Sequence, residues 1–243
     1  MKAKRFVSIP EWSPLYHEPP HHFRGCTSLN ILCRAPVGVI KSLLPEPLKP
    51  HGDLFVLRWA HVEDVDGYKN IHFNEINFPC EWENNIGVHM ALEYIDNEMG
   101  LIIGREVWGY PKKWGDFVWN KTTNGLYVEC HRQGVLLMQT EFTGSDDSKE
   151  FIPTVEWPDM NYYYLVKHIP PASRSVSALI QVVRLELSEL VIHSSTTGSA
   201  QVEFFDGPRD PLTHLGPVEV LGATLDSLDL AVDYGEVVAT LEI

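Results

Sequence analysis

Along most of the chain, short runs of alternating apolar and polar residues are separated by glycine, proline, asparagine or aspartate, the pattern of half-buried β-strands. Thr27–Arg34, Leu54–Val62, Tyr68–Phe78, Gly87–Ile95, Asp116–Asn120, Leu126–His131 and Val135–Phe142 read as strands. Asn124-Gly125 is a hairpin turn signal between two of them. Beyond the solvated loop Gly144–Glu150, Asn161–Ile169 reads as a strand, with a short helix as the alternative, and strands are predicted over Leu179–His193 (one strand or two) and Ala200–Phe205. Val218–Leu228 is mixed, and Gly235–Ile243 closes the chain as strand or helix. Helical spacing is found over Val37–Leu44, where Val37, Ile40, Leu43 and Leu44 share a face and Pro45 stops the helix. Residues 1–25, rich in proline and histidine, lack periodicity and are expected to form an extended arm; residues 26–243 form one domain. Many short strands with few helices predict an α+β, mainly β fold: one antiparallel barrel-like sheet decorated by a few helices.

Two departures from this pattern carry chemistry. In Tyr68–Ile76, strand alternation puts His72 and Asn74 on one face and Ile71, Phe73 and Glu75 on the other. Glu75 therefore falls on an apolar face, where a carboxylate needs a partner or a shifted pKa. The second departure is Gly104-Arg105-Glu106-Val107-Trp108-Gly109-Tyr110-Pro111-Lys112-Lys113-Trp114-Gly115, which follows the apolar run Met99–Ile103. An amine drawn into apolar surroundings loses the hydration of its charged form, and the free amine is a nucleophile toward ketones. The plainer reading of two lysines is a solvated basic turn. In an extended stretch Lys112 and Lys113 would face opposite ways, which leaves burial as the activating influence on Lys112.

Composition narrows the setting. Lys plus Arg is 19 against 33 for Asp plus Glu, a net charge of −14, which argues against nucleic acid and anionic membrane surfaces as partners. No apolar stretch approaches a membrane span. Cys26, Cys33, Cys80 and Cys130 lie far apart without a CxxC, and a cytoplasmic setting is expected. Histidines such as His21, His22, His61, His72 and His89 raise a metal-enzyme reading, but no HxH or HExxH spacing supports one. Neither a metal nor another cofactor is expected.

The run Gly104-Arg105-Glu106 leading to Tyr110-Pro111-Lys112-Lys113 resembles the signature of the acetoacetate decarboxylase superfamily. Asn30–Arg34, Pro45-Glu46-Pro47-Leu48, Phe204-Phe205-Asp206, Pro211-Leu212 and Pro217–Val220 resemble its flanking segments in the same order. That family is a standard instance of a lysine activated by desolvation or a neighbouring cation. The resemblance implies an imine on Lys112, with Glu75 as the pocket acid or base and Arg105, Glu106 and Lys113 in support. It also implies a lyase acting on a small-molecule oxo acid or ketone, assembled as a homo-oligomer.

Where the family has an arginine before its first strand, this chain has Cys26, with Arg24 nearby; where it has a glutamate on the strand matching Leu54–Val62, the candidates are Arg58 and Ala60. Arg24 and Arg58, with Trp108 and Tyr110, are the expected substrate contacts. Decarboxylation of a β-keto acid is the first expected reaction. The alternatives are aldol addition with dehydration, or cyclisation, of a larger oxo substrate without loss of CO2, and a barrel that binds an apolar ketone non-covalently.

Overall fold

A computed structural model describes residues 8–145, 159 and 162–241. Residues 146–150 of the expected loop and position 161 of the expected strand lie outside that set. The first strand, β1 (His21–Arg34), opens inside the expected arm, because the backbone from His21 onward already pairs with later strands. Helix α1 (Val37–Leu43) and the short β2 (Lys49–Pro50) lead to β3 (Leu54–Val65), β4 (Tyr68–Trp82) and β5 (Asn85–Ile95). Helix α2 (Glu98–Ile103) runs into a π-helical turn, Gly104–Trp108, which delivers β6 (Lys112–Trp114). Then come β7 (Asp116–Lys121), β8 (Gly125–Arg132), β9 (Val135–Gly144) and β10 (Tyr162–Ile169). The 26-residue β11 (Leu179–Phe204), the small β12 (Asp206–Gly207) and β13 (Asp210–Pro211), β14 (Glu219–Val232) and β15 (Glu236–Leu241) complete the chain.

The strands join in the order β10-β5-β4-β3-β1-β14-β11-β9-β8-β7, and β10 also pairs with β11. That last pairing closes β5, β4, β3, β1, β14, β11 and β10 into a barrel. Length lets β11 do two things: its first half pairs with β10 and β15, and its end continues the sheet outward onto β9. Strand alternation divides the side chains accordingly. Trp59, Phe78, Tyr94, Val128 and Phe142 belong to one buried cluster, whereas Val62, Ile71, Met90, Ile95 and Trp108 belong to a second, around the barrel interior. No described helix is long and apolar enough to cross a membrane.

Candidate active site

The barrel interior holds a cavity of about 80 Å³. Most of its wall is apolar, including Phe23, Ile71, Phe73, Ile103 and Leu230. One register row crosses that wall. Asn30 pairs with Arg58, Arg58 with Glu75, Glu75 with Glu93, and Glu93 with Lys112, each on the next strand from β1 through β3, β4 and β5 to β6. Directly opposed residues in a sheet are close enough for their side chains to interact. The row thus places two carboxyls between two cations in a space largely closed to water.

Lys112 Nζ lies 2.9 Å from Glu93 Oε1, with the lysine side chain 12% and the glutamate 2% exposed. Burial pushes the Glu93 carboxyl up to about 8; Lys112 opposes that shift and the nearby Glu75 adds to it. Glu93 Oε2 is buried and has no hydrogen-bond partner among the described residues. Glu75 Oε2 accepts from Arg58 Nη1 at 3.3 Å and from Asn77 Nδ2 at 3.0 Å. Arg58 also donates to Tyr163 Oη (3.2 Å) and, through Nε, to Asn30 Oδ1 (2.9 Å). The Tyr110 ring centre is 5.2 Å from Lys112 Nζ, a cation–π distance.

The backbone before Lys112 explains how the amine is aimed. The Asn97 side chain caps α2 by accepting from Gly100 N at 2.9 Å, and the helix buries Met99 and Ile103. At its end Gly104 O accepts from both Gly109 N and Tyr110 N, each at 2.9 Å. A π-turn of this kind is common at functional sites. Gly109, at φ 88°, makes the left-handed exit that a side chain would strain, and a Cβ there would sit 2.5 Å from Lys167 Cα. Gly104 is needed for space instead: a Cβ would lie 2.5 Å from Lys112 Cε and 2.6 Å from Cδ. Gly104→Ala favours the helix locally but displaces the amine. Its expected outcome is a loss of about 10²-fold in whatever reaction uses the Lys112 amine, with the melting temperature within a few degrees of wild type. Undiminished reactivity would mean that the position of Lys112 does not depend on this contact.

The structure brings Lys112, Glu75, Arg58, Trp108 and Tyr110 around one cavity. Lys113 turns away: its Nζ donates to Asp210 Oδ1 (2.7 Å) and Arg209 O (2.9 Å). Arg105 donates to Lys112 O at 3.0 Å, and Glu106 accepts from Tyr16 Oη, which ties the N-terminal segment to the π-turn. Arg24 is not brought in. It sits on a β-bulge beside Gly25, its side chain is 58% exposed, and it points toward Asp64 (3.8 Å) and Asp66 (3.6 Å). Glu75 pairs with Arg58. Glu93 escaped the sequence reading, although a lone carboxylate between Leu92 and Tyr94 in an apolar strand is the same kind of anomaly as Glu75. Outside the row, His17, His21 and Asp66 offer ligand atoms within 4.8 Å of one another.

Residues 9–241 match the family model described as acetoacetate decarboxylase (ADC). The chain belongs to the acetoacetate decarboxylase family. A relative from Clostridium beijerinckii named acetoacetate decarboxylase is 25% identical over 241 residues, spanning 98% of this chain and 96% of its own. Among solved structures, an acetoacetate decarboxylase superposes with a TM-score of 0.85 at 21% identity, covering 98% of this chain and 97% of its own. The enduracididine biosynthesis enzyme MppR, solved with the condensation product of pyruvate and imidazole 4-carboxaldehyde, gives 0.79 at 19% identity and 95% coverage of both chains. The family's fold is therefore kept here at low sequence identity.

Proposed function

We propose that this chain is a Schiff-base-forming carbon–carbon lyase that decarboxylates a β-keto acid through an imine on Lys112. The carrying observation is the buried 2.9 Å contact between the Lys112 amine and the Glu93 carboxyl inside the cavity. Glu93 holds its proton near neutrality and so can serve as the acid beside the Lys112 amine, which is assigned the nucleophile's part. The free amine adds to the substrate ketone. Glu93 then donates its proton to the carbinolamine hydroxyl, water departs, and a protonated imine remains.

That cation accepts the electron pair of the breaking C–C bond as CO2 leaves. The enamine takes up a proton at carbon, and water hydrolyses the imine to release the ketone. Arg58, on the cavity wall two strands from Glu93, is suited to the substrate carboxylate. Glu75, held by Arg58 and Asn77, is the second carboxyl on the cavity wall and is assigned the relay of a proton from water to the enamine carbon.

An aldol–dehydration outcome draws on the same imine. Arg58 or Ala60 stands where the family resemblance leads one to expect a glutamate, and neither is an acid; MppR was solved with a pyruvate condensation product. Borohydride trapping with acetoacetate, longer 3-oxo acids and pyruvate tests the common step, with adduct mass located by peptide mapping. CO2 release and aldehyde-dependent absorbance separate the two outcomes. Label on Lys112 is expected; a chain that takes no label from any of these carbonyl compounds would overturn the reading.

A further inference from the structure

The cavity has a second polar feature outside the charged row. His21 opens β1, and its register partner on β14 is Val232; Phe23 and Leu230 form the next inward pair, and all four line the cavity. His21 is only 2% exposed, and neither ring nitrogen meets hydrogen-bond geometry with any described residue, although the His17 backbone lies near enough to pull on the imidazole. Asp66 Oδ2 stays 3.7 Å from Nδ1, outside hydrogen-bonding distance. The His17 ring stacks on one side at 4.3 Å, and Trp108 meets it edge-on at 6.1 Å. Buried polar groups are nearly always satisfied, so an orphaned imidazole on a cavity wall points to a partner in the cavity.

The position of His21 relative to the amine defines that partner. Lys112 Nζ is 5.2 Å from the Tyr110 ring centre, and the Tyr110 and Trp108 centres are 6.0 Å apart. Tyr110 and Trp108 thus form a chain of ring contacts from the amine to His21, along an otherwise largely apolar wall. We propose that His21 binds a second polar group of the substrate, a hydroxyl or carbonyl set apart from the reacting carbonyl by an apolar span, so that the substrate class is a functionalised oxo acid larger than acetoacetate. The orientation of that substrate rests on Lys112 as the reacting group. Burial and the neighbouring His17 ring hold the His21 imidazole down, against the pull of Asp66 and of the His17 backbone; a neutral imidazole offers one donor and one acceptor.

The test uses acids without a ketone, so that it does not depend on imine formation. Hexanoate, octanoate and decanoate are titrated calorimetrically into the full chain beside their terminally hydroxylated forms. At one length the hydroxy acid is expected to bind at least tenfold tighter than the plain acid, because only it satisfies His21. His21→Phe, which keeps the ring, should bring that ratio to one; His21→Gln, which keeps a donor and an acceptor, should retain part of it. Thermal melts of both variants should stay close to wild type, since the histidine has no hydrogen bond of good geometry to lose.

The inference fails if no hydroxy acid is preferred at any length, or if His21→Phe leaves the preference intact. It also fails if stoichiometric zinc binds wild type and is lost in both His17→Ala and His21→Phe, which would make His21 a metal ligand. Borohydride trapping of acetoacetate is scored separately, so failure of the Lys112 reading and failure of this one give different results.

Discussion

Lys112→Ala is expected to take up no borohydride-trapped label and to lower turnover of any oxo acid by at least about 10⁴-fold, because no other described amine reaches the cavity. Lys112→Met keeps the methylenes that lie against Gly104 and removes the nitrogen alone, so it should fold like wild type and be equally dead. Lys113→Met is the informative contrast. It gives up the contacts to Asp210 and Arg209 and should lower the melting temperature, since Asp210 is buried, yet retain label on Lys112. Peptide mapping that found label in Lys112→Met, or found it lost only in Lys113→Met, would reverse the assignment.

Much of this arrangement was legible in the sequence because β-structure has a strict period of two. The alternation in β4 put Glu75 on the same face as Ile71 and Phe73, and all three line the cavity. Where the strict period breaks, so does the reading. In β5 the pairing with β4 slips between Ile76 and Asn77, leaving Ala91 as an extra residue. Met90 faces the cavity, Ala91 and Leu92 face the opposite groove, and Glu93 turns back inward. Counting by twos from Met90 would have sent Glu93 outward; a bulge re-aims the side chains beyond it, as bulges near active sites commonly do. The bulge at Arg24–Gly25 works the other way, taking Arg24 out of the barrel while Phe23 and Cys26 face inward. Ser194–Gly198 reads as a polar break between two strands, but its backbone pairs with β14 and so makes β11 continuous. None of these three features has a local propensity signal, because each is decided by the partner strand.

Glu93→Gln is expected to slow imine formation by about 10²–10⁴-fold, the usual worth of a positioned general acid. It should also abolish the descending limb of the trapping rate that wild type shows as pH rises through about 8, where Glu93 loses its proton. Stability should move in the opposite sense. The folded carboxyl holds its proton up to about 8, whereas in the unfolded chain it ionises near 4.3. Between those values the native state binds more protons than the unfolded state, so wild-type stability falls as pH rises through that window. Glutamine cannot ionise and escapes this cost of burying a charge, while its amide still reaches Lys112. Urea unfolding at pH 5.5 and pH 8.5 should therefore show the variant gaining on wild type at the higher pH. Parallel pH dependences for the two chains, together with an unchanged trapping profile, would mean that Glu93 stays ionised beside Lys112 throughout and contributes an ion pair, not a proton.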